Sequence, residues 1–303
     1  MPHLSSWFGS AFVLPMLLVA SQARGQACCA GSSALTPARL GIHDDAAVGA
    51  IVRGTGMVGS FDARGAYLGS PAGTAELNGE IDLVGTLRVL PDGQLTALVP
   101  FSATWRQVTG LTELGGGIGD VNLSGRYDFT HAGQSTVVPG IAALLGVTFP
   151  TGRAPDYASK PLATDATGIG AFQLTGGVAL EQSFGHFLLN LTALVAWRTP
   201  RSVRGVNETL GVQFQGLLGV GYVFDSEASL AVSVGQVGEL NAVLNGKVAP
   251  NSGRGLATVS VSGALPLGES WRLQGGLTYN PPVLGWNQTS GLGFTISLLR
   301  TWT

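Results

Sequence analysis

From Ala46 onward, apolar and polar positions keep exchanging sides along the chain. In the stretch around Gly119–Phe129, Val121, Leu123, Tyr127 and Phe129 share one parity, while Asn122, Ser124, Arg126 and Asp128 share the other. Successive side chains of a strand point to opposite faces, so this pattern predicts a strand that is apolar on one side and polar on the other. About twelve such segments reach the roughly 9 to 11 residues that a tilted membrane strand needs. They lie at 46–62, 77–90, 95–106, 119–130, 137–149, 170–183, 187–198, 209–224, 228–239, 255–265, 271–280 and 291–302.

A two-faced strand suits a soluble sandwich as well as a membrane barrel, and the connections separate the two. The short links PDGQ, HAGQST, FGH, DSE and PLGES alternate with ARGAYLGSPAGTAE, QVTGLTELGGGI, the stretch 150–169, TPRSVRGVNET, LNAVLNGKVAPNSGR and PPVLGWNQTS. That order predicts one rim of tight periplasmic turns and one of longer extracellular loops. The aromatic residues agree. On the apolar parity, Trp105, Phe149, Phe172, Trp197 and Tyr279 fall near the loop ends. Tyr127, Phe129, Phe187, Tyr222, Phe224, Trp271 and Trp302 fall near the turn ends. Amphipathic rings favour the headgroup levels, so two girdles are expected.

Composition narrows the choice further. Of 303 residues, 45% are hydrophobic and only 11% are charged, less than half the charged share of about 25% usual in soluble domains. Apart from the amino-terminal stretch, no apolar run approaches the roughly 18 to 20 residues of a spanning helix. Hydrocarbon accepts only helices and closed barrels, because only these satisfy every backbone hydrogen bond. The expected fold is therefore all-β, an antiparallel transmembrane β-barrel over residues 46–303 in the outer membrane of a Gram-negative cell. A formal net charge of -2 gives no footprint for a nucleic-acid partner.

Ahead of the barrel, AFVLPMLLVA at 11–20 followed by SQA or GQA predicts a signal peptide over 1–27. Cys28 and Cys29 come next, and adjacent sulfurs cannot supply a disulfide framework. With His43, Asp44 and Asp45 nearby a metal site is conceivable on paper, but two cysteines without a second pair are a weak signal, so no metal or cofactor is expected. Residues 28–45 are expected to form a periplasmic leader, or a plug, in or below the barrel mouth.

If lipid takes the apolar parity, the other parity lines the bore. Its charged candidates are Arg53, Glu80, Asp82, Arg106, Arg126 and Asp128, then Glu181, Arg198 and Arg272, with Arg88 and the amides Asn122, Gln173, Asn190, Gln213, Gln215 and Gln274 between them. Arg53 on the first strand faces the same space as Glu80 and Asp82 on the second, so bracing and solute contact are both open to this set. The longest connection, with Arg153, Asp156, Tyr157, Lys160 and Asp165, is expected either to fold back and narrow the pore or to remain a solvated loop. Catalysis has little support. There is no G-x-S-x-G, Walker loop or dinucleotide fingerprint. A barrel hydrolase would have to use His131 or His186, both in expected turns.

GIGDVNLSGRYDF followed by PGIAALLGVTFPTGRAPD resembles the repeated strand motif of outer-membrane channels associated with the meta-pathway of phenol degradation. The similarity spans about Gly115 to Gly176 and, more loosely, the rest of the barrel. It implies a twelve-stranded monomeric channel that passes small molecules, hydrophobic or aromatic ones among them. The closing segment GLGFTISLLRTWT resembles the carboxy-terminal signal read by the barrel assembly machinery, although its aromatic, Trp302, is penultimate. Lipid and a small-molecule solute are the other expected partners. The competing expectation is a non-conducting structural or adhesive barrel, plugged by its own leader.

Overall fold

The computed structural model describes residues 39–135 and 137–303. The signal peptide, the Cys28–Cys29 pair and the first part of the leader lie outside the described residues. Twelve strands run antiparallel around the wall. They are β1 (Ala46–Phe61), β2 (Ala75–Leu90), β3 (Gly93–Val108), β4 (Val121–Thr130), β5 (Gly140–Phe149) and β6 (Gln173–Phe184), then β7 (Phe187–Arg198), β8 (Gln213–Val223), β9 (Ser229–Glu239), β10 (Arg254–Leu267), β11 (Trp271–Tyr279) and β12 (Thr289–Trp302). Each pairs with its sequence neighbours, and β12 closes on β1 from Ala46↔Trp302 to Ser60↔Thr289. Closure leaves no open edge in the wall, which is the condition for crossing hydrocarbon with strands.

The wall is inside out relative to a soluble core. Leu83, Leu145, Leu191, Val232, Leu277 and Ile296 all stand exposed on outward positions, whereas Asp82, Thr96, Ser124, Gln173, Thr192 and Ser297 are buried on inward ones. A soluble sandwich would bury the first set, so the structure decides for the barrel. The aromatic residues form edge-to-face pairs within each rim. Tyr127–Phe129, Phe187–Tyr222 and Tyr222–Phe224 lie 5.2, 5.1 and 5.0 Å apart on the turn rim, and Phe149–Phe172 lies 5.9 Å apart on the loop rim.

Three expectations need correction. The stretch QVTGLTELGGGI is not a loop, because Leu111–Ile118 is a strand paired with the upper half of β3 after a tight turn at Thr109–Gly110. The fourth stave is thus one long strand interrupted at Gly119–Asp120, where the Gly119 amide donates to the Pro100 carbonyl. Proline at 100 has no amide to give, so the ladder breaks there. Secondly, strand starts expected at 137, 170 and 209 move to Gly140, Gln173 and Gln213. Thr209 belongs instead to a small sheet on the loop rim, built from Arg201–Val203, Val206–Thr209, Val243–Leu244 and Lys247–Val248. Finally, the inward face is not uniformly polar: Ala142, Leu144, Ala179 and Leu194 on β5–β7 form a buried apolar cluster inside the bore.

Candidate functional site: the bore and its two ends

A cavity of about 400 Å³ occupies the middle of the barrel. Of the charged positions expected to line the bore, Arg53, Arg126 and Glu181 border this cavity, and leader residue Arg39 joins them. Arg53 sits opposite Glu80 in the β1–β2 register, bonds its Oε1 at 2.8 Å, and also pairs with Asp82. Asp82 is wholly shielded behind that guanidinium. Arg126 is held by Asp128 at 2.7 Å and by Glu181 at 3.1 Å, and Asn190 donates to Glu181 at 3.4 Å. Each of these ions is paired with one of opposite sign. Removing one partner of such a buried pair leaves the other uncompensated, the costly case.

The remaining charged candidates lie nearer the rims. Towards the loops, Arg198 bonds Glu239 at 2.7 Å and Gln173 at 2.8 Å, with Arg254 on the same carboxylate at 3.0 Å. Arg106 bonds Glu76 at 2.8 Å and also donates to the Leu162 carbonyl. Towards the turns, Arg272 reaches Asp44 at 3.2 Å.

That last contact belongs to the leader. Residues Arg39–Asp45 bend into the turn-side mouth and are anchored at their barrel end. The Asp45 amide donates to the Trp302 carbonyl at 2.7 Å, and the Asp45 carbonyl accepts from Arg88 N at 2.7 Å. Arg88 Nε donates to the Asp44 carbonyl at 3.0 Å and its guanidinium also reaches the Gly41 carbonyl. Leu40 N donates to Gln94 at 3.0 Å. Beyond these anchors Arg39 pairs with Glu181 on β6, halfway round the barrel from the β1–β12 seam. The segment Arg39–Asp45 therefore reaches across the bore.

At the other mouth, the 150–172 connection lies along the extended fourth stave. Glu113, in register with inward-pointing Arg106, accepts from Leu162 N at 3.0 Å and Thr164 Oγ1 at 2.9 Å. A Cβ at Gly115 would come within 2.5 Å of Thr164, so glycine there permits the close approach. Asp120, at the break in the stave, accepts from Gly152 N at 2.9 Å and Ile169 N at 2.6 Å. Within the loop Asp165 accepts from the Ser159 hydroxyl at 2.6 Å and the Ser159 amide at 2.9 Å, and it pairs with Arg153. These bonds, the Ser159 hydroxyl foremost, hold the Asp165 carboxyl well below the usual carboxylate range. Of the other expected loop residues, Asp156 reaches Arg201 at 3.3 Å, Lys160 bonds the Leu114 carbonyl, and Tyr157 stands exposed.

Sequence reasoning missed Arg39, Glu113, Asp120 and Glu239. Parity could have found Glu239, since it shares the inward side of β9 with Ser233. Nothing in the local pattern marks Arg39, whose position depends on the leader bending back. The three histidines among the described residues sit apart from one another. His43 is exposed, His131 bonds Asp92 at 2.9 Å, and His186 Nδ1 donates to the Val223 carbonyl at 2.9 Å.

No protein-family model matches the chain. No curated protein matches it either. Among solved structures, an outer membrane channel from Pseudomonas putida F1 superposes with a TM-score of 0.72 at 15% identity, covering 86% of this chain and 96% of that one. The likeness is one of fold. The beta domain of the Bordetella autotransporter BrkA follows at 0.47 and 11%, covering 84% and 100%. The monoaromatic hydrocarbon channel CymD gives 0.43 and 7%, covering 86% and 89%. Superpositions this loose add nothing to the reading.

Proposed function

We propose that the protein is an outer-membrane channel for passive movement of small solutes, with its turns in the periplasm and its loops outside the cell. The observation that carries this reading is the cavity enclosed by a sealed wall, between a loop at one mouth and a leader at the other. The shared architecture with the Pseudomonas putida outer membrane channel supports it. In this reading the 150–172 loop and the inward charges set selectivity, lipid surrounds the wall, and the closing strand delivers the chain to the barrel assembly machinery as a monomer. Purified protein in a planar bilayer should give discrete conductance steps. A folded barrel with neither conductance nor solute uptake would remove the proposal.

The Arg39–Glu181 pair favours a second element, in which the leader throttles the periplasmic mouth. Its barrel end is fastened by several bonds, whereas Arg39 supplies the reach across the bore. Arg39→Ala should raise single-channel conductance or open time about twofold or more, given that an ion pair fixes Arg39 across the bore. Unchanged currents in Arg39→Ala would exclude throttling. A parent that is silent, with the variant conducting, would instead favour the plugged barrel.

A further inference from the structure

The cavity's lining mixes hydroxyls and amides with apolar side chains all round the bore, and this mixture bears on the chemistry of the solute; the inference rests on the channel reading above. Between β8 and β12 the register sets Gly219, Ser233, Ser260, Thr278 and Gly293 side by side around the wall. The next rung runs Gly221, Ala231, Ser262, Gly276 and Thr295. Glycines put no side chain into the bore, so space opens beside the hydroxyls. Ser233 and Ser260 share one hydrogen bond at 2.6 Å, and Gln274 accepts from Ser297 at 3.2 Å. A hydroxyl can donate once and accept twice, so these groups keep capacity for a further partner. Val84, Leu98 and Leu144 on β2, β3 and β5, and Leu217, Val237 and Leu299 among the β8–β12 groups, give the same cavity apolar ground between its polar side chains. No aromatic side chain borders it among the described residues.

Each class of solute meets this lining differently. An ion would lose its water where Arg53 and Arg126 are already engaged by Glu80, Asp82, Asp128 and Glu181. A wholly apolar solute would strip water from the hydroxyls without replacing its hydrogen bonds. A neutral molecule that carries both hydroxyls and exposed carbon satisfies this mixed lining. We propose that the cavity is a binding site for neutral, hydroxyl-bearing amphiphiles of small-sugar size, and that the β8–β12 hydroxyls select them.

Swelling of proteoliposomes in arabinose and in glycine betaine tests this, because neither crosses lipid or carries net charge and only arabinose carries hydroxyls. The parent should admit arabinose about five- to tenfold faster, the factor that one or two net hydrogen bonds supply. In Ser260→Val with Thr278→Val that ratio should fall severalfold. Ser233→Ala, a smaller change, should lower it in the same direction and serves if the double variant does not fold. Equal rates for the two probes in the parent, or a ratio unchanged in folded variants, would overturn the assignment. Potassium chloride conductance of the parent separates the two readings. Currents without arabinose selectivity sink only the solute class, whereas the lack of any current or swelling sinks the channel and this assignment with it.

Discussion

Arg300 is the one charged side chain at an outward position on the twelve strands. It lies at the turn rim, beside Trp271 in the β11–β12 register, with its guanidinium 5.7 Å from the Trp271 ring centre and 5.1 Å from that of Trp302. Aromatic faces attract cations, and a rim position lets the long stem deliver the charge to water. Depth in the bilayer therefore decides what a charge costs on this face. Leu191→Arg, exposed mid-strand on β7, should lose about 2 to 4 kcal/mol of folding free energy in bilayers, whereas Arg300→Leu should change it by about 1 kcal/mol or less. Urea unfolding in lipid vesicles measures both; equal losses would mean that Leu191 does not face the hydrocarbon centre.

At the scale of elements, the 150–172 connection behaves as a piece of wall furniture fastened by carboxylates. Gly115→Val should push Thr164 off the fourth stave, and trypsin should then cut after Arg153 severalfold faster than in the parent. Asp165 adds a pH dependence. Its carboxyl is lowered in the folded state, so its contribution is complete above the ordinary carboxylate value near 4 and is lost only as pH falls through the depressed one. At a pH of about 3.5 the parent loop should thus resist pepsin, while Asp165→Asn, unable to ionise, should be cleaved; equal resistance would deny Asp165 this role.

The same elements show what the sequence made legible. Period-two alternation marked all twelve strands, because lipid outside and polar groups inside impose the same rule on every stave. Leu111–Ile118 escaped notice because Gly115, Gly116 and Gly117 erase the alternation, and Pro100, the cause of the break beside it, lies on another strand. Inward charges could be assigned by parity, and Arg53 with Glu80 and Asp82 followed from adjacency alone. The Arg39–Glu181 contact joins residues 142 positions apart, and no local pattern carries that.

For the whole molecule, the pairing of charges inside the bore matters more than their number. Around Glu181, Arg39 and Arg126 are balanced by Asp128 and Glu181 itself. In the channel reading, charges so balanced should give weak ion selectivity in a potassium chloride gradient. Glu181→Gln leaves two guanidinium groups facing one carboxylate, so the reversal potential should move towards chloride and the denaturation midpoint should fall. A shift towards potassium would contradict the charge assignment.

The seam offers one more consequence. Ala46 lies opposite Trp302, and an even number of staves brings the first and last of them out at the same rim. A reporter fused to either extremity of the barrel should therefore report from one compartment, and a linker joining Trp302 to Ala46 need bridge only neighbouring strands. The cylinder can thus be recut at any loop, giving a circularly permuted chain whose new ends emerge on the opposite face.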